Sequence, residues 1–351
     1  MKTIINYLKK YGTKSFLEEP ANDIDGLVFS LLSYAKLDGI IPSKRNKYIT
    51  LKDAGELFLK KFSPKDFKNE DWLFPHSYEL VKTISTSERY KDAKLSFMVN
   101  DISSEGQFCA ITIRINKLTY ISYRGTDSSV IGWKEDFEIM YKYPISSEKK
   151  AQQYLNKTLK LSDHNVILCG HSKGGNLAMY AYMNFLRRWR IKRVYNHDGP
   201  GFNEFVTKTK KYQKLSEVCV TIVPENSIIG MILYKPNIIP VNSNGFGILE
   251  HDAYTWEVKD TNFVTSVLSK KSQRLNTNLK EYLNEMTQDE KELFVAATFK
   301  VFDNLGITNI TQLKDISINR VLNMIKELKN LPQSTKKNLI AVLRMIMLGI
   351  K

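Results

Sequence analysis

Residues 166–180 read VILCGHSKGGNLAMY and contain the five-residue pattern G-x-S-x-G around Ser172. An apolar run precedes this pattern. The stretch that follows it has helical spacing and begins with small residues, namely Gly174, Gly175 and Ala178. A strand, a sharp turn and a helix in this order present a serine hydroxyl at the edge of a sheet. The flanking residues are glycines because side chains there would collide with the neighbouring backbone. The stretch therefore predicts that Ser172 is a nucleophile.

The segments on either side predict an α/β core. From Lys94 onwards, short runs rich in β-branched and aromatic residues are separated by turn-like stretches, and beyond residue 164 apolar strands alternate with helical patterns. Such alternation is typical of a parallel sheet covered by helices on both faces. We expect a helical lead-in packed on the core at 1–90, the α/β core at 91–260, and a helical region at 261–351. From about Asn262 onwards the sequence pattern is entirely helical.

The bulk composition limits the partners. The chain of 351 residues carries a formal charge of +15, which can attract nucleic acid, anionic lipid or acidic substrates. Its lysines are scattered and do not gather with aromatic residues on one evident helix face. We therefore expect a solvated basic surface, no nucleic-acid partner, and at most a transient contact with an anionic membrane surface.

The cysteines and the hydropathy pattern indicate the compartment. Cys109, Cys169 and Cys219 lie inside apolar runs and lack the spacing of zinc ligands, so they are expected to be reduced core residues. The N-terminus lacks the apolar core of a secretory signal, and no stretch has 18 uncharged apolar residues. The sequence predicts a soluble cytoplasmic protein that needs neither a metal nor a cofactor.

A serine becomes nucleophilic only when a base takes its proton. In enzymes with this turn the chain order is serine, acid, histidine. Two histidines follow Ser172. His251 stands in GILEHDAYTW after the last strand-like run, where the base is expected, whereas His197 follows its strand directly and comes too early. His171, inside the turn, is interpreted as packing against or orienting it.

The acid is less clearly defined. Asp198 stands at the end of the strand after the nucleophile helix, and Glu225 stands at the end of the next strand, which is the commoner position. Asp198 precedes Gly-Pro-Gly and could instead cap a turn. We rank Asp198 first, Glu225 as the alternative acid, and Asp252, adjacent to His251, third.

Acyl transfer also needs hydrogen-bond donors directed at the developing oxyanion. One is expected from the backbone N–H of Lys173, the residue after the serine. The second is expected from the junction in YRGTDSSVIGWKED, residues 123–136, where Thr126 offers both an N–H and a hydroxyl.

These blocks resemble known families. YRGT followed by Trp133 and Asp136 is similar to the F-R-G-[TS]…W…D block of the class 3 lipases. GHSKGGNLA, DGPGF, PENSIIGM and EHDAYTW, together with the N-terminal NYLKKYGTKSFLEEPANDIDGLVFSLLSY, resemble an uncharacterised bacterial family of lipase-like hydrolases. The resemblance implies an α/β-hydrolase fold, with Ser172 as nucleophile, His251 as base, and Thr126 and Lys173 as oxyanion donors.

One departure from the lipases leaves the acid open. Where they have an aspartate in N-D-x-V-P, this chain has ENSIIG, with Asn226 or Ser227 nearest the aligned place. The predicted function is a serine hydrolase of the lipase or esterase type that acts on a small-molecule ester or lipid. The alternative is a weak or inactive hydrolase-fold protein that binds partners through its basic surface.

Two apolar segments each have two interpretations. SIIGMILYKPNIIP at 227–240 could line an acyl pocket, form a lid, or pack in the core. KKNLIAVLRMIMLGIK at 336–351 could lie in a membrane interface, although a helix buried against the core is the preferred interpretation.

Overall fold

An eight-stranded sheet forms the centre of the protein, and its strand order follows the chain from β1 to β8. The computed structural model describes residues 2–67, 74–103, 106–127 and 129–309, and single positions between 312 and 340. The first three pairings are antiparallel, and the four from β4 to β8 are parallel. The strands are β1 (Ile49–Thr50), β2 (Lys94–Ser103), β3 (Gly106–Ile115), β4 (Leu118–Tyr123), β5 (Asn165–His171), β6 (Ile191–His197), β7 (Cys219–Pro224) and β8 (Ile238–Val241), with a separate pair β9 (Val258–Lys259) and β10 (Asn262–Phe263).

Helices cover both faces of this sheet. The helices are α1 (Ile4–Tyr11), α2 (Asp23–Leu32), α3 (Leu51–Lys61), α4 (Phe74–Ser85), α5 (Val130–Glu138), α6 (Ser146–Thr158), α7 (Lys173–Asn184), α8 (Glu204–Thr207), α9 (Lys210–Ser216), α10 (Lys270–Glu285) and α11 (Gln288–Asn304). Residues of α1 to α4 form one hydrophobic core with the sheet, and residues of α6, α7 and α9 form another. The predicted α/β arrangement of the core is confirmed.

Strand β5 shows why its sequence is a continuous apolar run. Ile167 and Cys169 belong to the core that includes α2, whereas Val166 and Leu168 belong to the core that includes α7. Side chains of a strand alternate between the two faces of a sheet, so a strand covered on both faces is apolar at every position. The predicted lead-in at 1–90 thus supplies one of the two helical layers through α1 to α4.

The prediction that the chain is entirely helical from Asn262 is wrong for residues 262–269. This segment is extended because its backbone bonds to neighbouring strands: Val264 N–H donates to Glu257 O at 2.9 Å, and Ser266 N–H donates to Pro240 O at 2.9 Å. Helical structure begins at Lys270. The helical patterns at 318–330 and 335–349, and the segment at 336–351, lie largely outside the described residues.

The single helix expected over FNEFVTKTKKYQKL is two short helices, α8 and α9. They are separate because Thr209 has extended backbone and its hydroxyl accepts a hydrogen bond from Tyr212 N–H, which starts a new helix. Within the described part of the chain, no helix has the length and apolar character needed to cross a bilayer.

The three cysteines are free and buried, as predicted. Burial raises the pKa of the Cys169 thiol and of the Cys219 thiol to about 12. Both thiols are therefore un-ionised at neutral pH, and they act as small apolar side chains.

Candidate active site

Ser172 lies in a strained turn between β5 and α7. Its backbone angles are φ 57° and ψ −136°, a region that residues with side chains rarely adopt. Close packing maintains this turn: a Cβ added at Gly174 would lie 2.1 Å from Tyr123 O, and one at Gly170 would lie 2.2 Å from the Gly174 backbone. Ser172 N–H also donates to His197 O at 2.9 Å. The serine is partly exposed at the carboxyl end of β5, and such a turn presents its hydroxyl outwards.

The structure brings His251 and Asp198 together. His251 Nδ1 lies 2.7 Å from Asp198 Oδ2, and the Asp198 side chain is almost fully buried. Ser227 Oγ donates to the other carboxylate oxygen, Oδ1, at 2.5 Å. Asp198 follows β6 directly and has a positive φ of 50°. Its carboxylate is therefore fixed on both oxygens and oriented towards the histidine ring.

The other acid candidates contact different partners. Glu225 Oε2 accepts from Ser266 Oγ at 2.7 Å. Asp252 lies 3.3 Å from His76 Nε2 and accepts from a backbone N–H two residues on. Among the hydrogen bonds of the described residues, Asp198 is the carboxylate that meets His251 Nδ1.

His197, the other candidate base, lies inside the core. Its Nδ1 is 3.1 Å from Ser30 Oγ of α2, and burial lowers the pKa of His197 to about 3. The ring is therefore neutral and packed, and its backbone carbonyl supports the turn at Ser172.

Asn226 and Ser227 hydrogen-bond to other residues of the site. Ser227 holds Asp198, as described above. Asn226 donates to Glu250 through its backbone N–H at 3.1 Å and through Nδ2 at 2.7 Å. Glu250 immediately precedes His251, so these bonds attach the histidine loop to the end of β7.

The two predicted oxyanion residues are joined through one carboxylate. Thr126 Oγ1 donates to Asp136 Oδ1 at 2.8 Å, and Lys173 Nζ lies 3.5 Å from the same oxygen. The Thr126 hydroxyl thus already has an acceptor in Asp136. The backbone N–H groups of Thr126 and Lys173 remain the candidates.

A buried ion pair fixes the turn to helix α5. Lys173 Nζ lies 2.8 Å from Glu135 Oε2, and both side chains are at most 2% exposed. Burial opposes the charge on Lys173, but Asp136 and Glu135 hold the pKa of Lys173 above its usual value. Burial also opposes the charge on Glu135, yet Lys173 holds its pKa below the usual range, whereas burial raises the pKa of Asp136 to about 6. Loss of one partner of such a pair leaves a buried charge, which is strongly destabilising.

Glu148 is a second buried carboxyl near this ion pair, and it should make the stability of the protein depend on pH. Burial, with the charge of Glu135 adding to it, raises the pKa of Glu148 to about 8. Because this folded-state pKa lies above the unfolded value of 4.5, the contribution of Glu148 to stability is fully present below pH 4.5 and is lost as the pH rises towards 8.

We expect the Glu148→Gln variant to match wild type near pH 4.5 and to be more stable at pH 8, by on the order of a few kcal/mol. Its amide oxygen can still accept from Ile145 N–H, which donates to Glu148 at 2.9 Å. Urea unfolding of both proteins at the two pH values measures the difference. A difference that is the same at both pH values would contradict the buried, neutral glutamic acid.

A hydrogen-bond chain that sequence reasoning missed connects three parts of the site through Tyr34. The Tyr34 hydroxyl accepts from Gly125 N–H at 3.1 Å and lies 3.2 Å from His171 Nδ1. His171 Nε2 lies 2.8 Å from His251 O, so Nε2 must carry the hydrogen. Burial, followed by the charge on His251, holds the pKa of His171 well below its usual value. The ring is therefore neutral, and its Nδ1 accepts from Tyr34.

His171 thus holds the histidine loop beside the turn at Ser172. The His171 and His251 rings have centroids 4.5 Å apart, and His171 precedes Ser172 in the chain. The sequence predicts that His171 packs against the turn or orients it. In the structure His171 contacts Tyr34 and also the backbone of His251. Tyr34 carried no signal in the sequence beyond its place in an apolar helical pattern.

We expect Tyr34→Phe to lower kcat/KM for ester hydrolysis by roughly tenfold, because Gly125 N–H and His171 Nδ1 both lose their partner. Steady-state kinetics, with kcat and KM measured separately, tests this, and the loss should fall on kcat. Tyr182→Phe is the matched control, since its hydroxyl donates to Lys214 O at 3.2 Å away from the site. Equal losses in the two variants would show a general effect on stability and no role at the site.

The apolar segment at 227–240 is partly core. Met231 and Leu233 are buried, and Leu233 packs with side chains of α10 and of the α5–α6 connection. Exposed apolar side chains occur on the histidine loop instead, where Phe246 is 88% exposed and Leu249 is 56% exposed. These two residues offer an apolar surface next to His251.

In the described part of the chain, no group of three or more His, Cys, Asp or Glu side chains is arranged to hold a metal ion.

The fold and the site define an α/β protein in which a strained serine and a buried aspartate end adjacent parallel strands, with a histidine bonded to the aspartate. The chain belongs to the Mbeg1-like family, whose model matches residues 84–300 and so includes all three of these side chains. Among solved structures it is similar to the crystal structure of M37 lipase, at 15% identity over 74% of this chain and 79% of that chain, with a TM-score of 0.35. No curated protein sequence matches this chain significantly.

Proposed function

We propose that the protein is a serine hydrolase of the lipase or esterase type, with an α/β-hydrolase fold. The observation that supports this most directly is the 2.7 Å contact between His251 Nδ1 and Asp198 Oδ2. It lies beside a serine in a strained strand-to-helix turn. A serine, a histidine and a carboxylate with these relations are the parts that acyl transfer by an activated hydroxyl requires.

The proposed reaction has two steps. Ser172 Oγ attacks the ester carbonyl carbon while His251 Nε2 takes the hydroxyl proton, and that proton then passes to the departing alkoxide oxygen as its bond to carbon breaks. Water attacks the resulting acyl-serine, His251 takes the proton of the water, and it returns this proton to Ser172 as the acid product leaves. Asp198 holds the ring orientation and stabilises the positive charge on His251.

The oxyanion that forms in each step needs fixed donors. We assign this role to the backbone N–H groups of Lys173 and Thr126. The side chains of both residues contact Asp136, and Lys173 is also paired with Glu135. Donors fixed in this way need no reorganisation when the charge develops, which is the main source of their effect.

The substrate we propose is a small-molecule ester or lipid with an apolar acyl group, supported by the exposed Phe246 and Leu249 on the histidine loop. No bound cofactor is required by this chemistry. A cytoplasmic location is also proposed, supported by three buried thiols without a disulfide.

Turnover of p-nitrophenyl esters by the full-length protein, with Ser172→Ala as the blank, tests the proposal. The alternative function, an inactive hydrolase-fold module that binds partners through its basic surface, predicts equal background rates for the two proteins.

A further inference from the structure

Three exposed apolar side chains protrude from two neighbouring loops at the edge of the sheet opposite the active site. Leu161 is 83% exposed, Leu186 is 91% exposed and Trp189 is 71% exposed. The first lies on the loop before β5, and the other two lie on the loop before β6. We call these three residues and the cations around them the basic apolar patch.

One arginine holds the two loops together. Arg190 is buried, and its Nε donates to Asp163 O at 2.6 Å while its Nη2 donates to Lys160 O. Arg188 Nη1 donates to Met183 O at 2.9 Å, which fixes the second loop to the end of α7. These hydrogen bonds fix the backbone of the two loops, so the exposure of the apolar side chains is a property of the fold.

The sequence segment that carries the patch is almost free of acidic residues. Between residues 149 and 197 the sequence has a single acidic residue, Asp163, and that carboxylate is buried and paired with Arg114 at 2.9 Å. Exposed cations occur on both loops and on the adjoining strand and helix, namely Lys157, Lys160, Arg187, Lys192 and Arg193.

We propose that the basic apolar patch docks the protein on an anionic lipid surface. Aliphatic and tryptophan side chains enter the interfacial layer of a bilayer, and lysine and arginine side chains around them bind anionic headgroups. A protein partner would have to supply an acidic surface around an apolar pocket. An anionic bilayer has negatively charged headgroups above an apolar layer over its whole surface. Charge complementarity therefore favours the bilayer.

The position of the patch separates docking from catalysis. Strand β5 has seven residues, so the patch and Ser172 lie roughly 20 Å apart along it. Docking through the patch leaves the proposed active site away from the membrane contact. The inference does not depend on the proposed hydrolase activity, because vesicle binding can be measured without any substrate.

The test is co-sedimentation of the full-length protein with vesicles of phosphatidylcholine mixed with phosphatidylserine, compared with pure phosphatidylcholine. We expect binding to the mixed vesicles that weakens as salt is added. Replacing both Leu186 and Trp189 by serine keeps the net charge and should lower the binding about tenfold or more.

Leu17→Ser is the matched control, because Leu17 is 89% exposed but is followed in the sequence by two glutamates. It should bind as wild type does. Circular dichroism of each variant checks the fold. The proposal is overturned if wild type does not bind the anionic vesicles at low salt, if the double variant binds as tightly as wild type, or if Leu17→Ser loses as much affinity.

Discussion

Replacing Ser172 by alanine is expected to lower kcat/KM for ester hydrolysis by about four orders of magnitude or more. The hydroxyl oxygen is the atom that would form the acyl-enzyme, and no other group can replace it at the turn. The fold should be retained, because Gly170 and Gly174 and the bond from residue 172 N–H to His197 O keep the turn in place. The thermal midpoint should therefore change little.

A serine elsewhere provides the control. Ser216 lies at the end of α9, where its hydroxyl donates to Gln213 O at 2.7 Å, and Ser216→Ala should keep full activity. If Ser172→Ala retains wild-type turnover while folded, the nucleophile has been assigned incorrectly.

Replacing Asp198 by asparagine is expected to lower kcat by roughly 10²- to 10⁴-fold. Asp198 Oδ2 is the partner of His251 Nδ1 at 2.7 Å. An amide there has no charge to stabilise the protonated ring, and its NH₂ group would favour the wrong tautomer. KM should change less, since Asp198 is buried and would not contact the substrate.

The matched control decides between the two acids considered from the sequence. Glu225→Gln removes the same charge at the end of the next strand, but Glu225 is bonded to Ser266. It should reduce kcat by less than about threefold. If instead the loss occurs in Glu225→Gln and not in Asp198→Asn, the histidine takes its acid from β7 and the proposed arrangement is wrong.

The parts of the site that are continuous in sequence were the most predictable. The turn at Ser172 is encoded by a strand, three glycines and a helix within fifteen residues, and its strain is a property of that local stretch. The chain order of serine and histidine limited the base to two candidates. The sequence alone does not separate Asp198 from Glu225, because both follow adjacent parallel strands; the contact of Asp198 with His251 is visible only in the structure.

The contacts that Tyr34 and Ser227 make across the fold could not be predicted, because nothing in the local sequence distinguishes these two residues. Tyr34 lies 137 positions before its partner His171 and occurs in a helical pattern typical of core residues. The position of Ser227 in the sequence does not reveal its partner, and in three dimensions its hydroxyl donates to Asp198 at the end of the neighbouring strand. The Tyr34 contact depends on how the N-terminal helices pack on the sheet, and the Ser227 contact depends on the pairing of β6 with β7.

Covalent labelling by a fluorophosphonate probe tests the central claim most directly. Such a probe reacts with a serine only where a base and oxyanion donors activate it. We predict that wild type is labelled stoichiometrically at Ser172, that Asp198→Asn is labelled much more slowly, and that Ser172→Ala is not labelled. A folded wild-type protein that resists the probe, or one that is labelled equally after Ser172→Ala, would contradict the account.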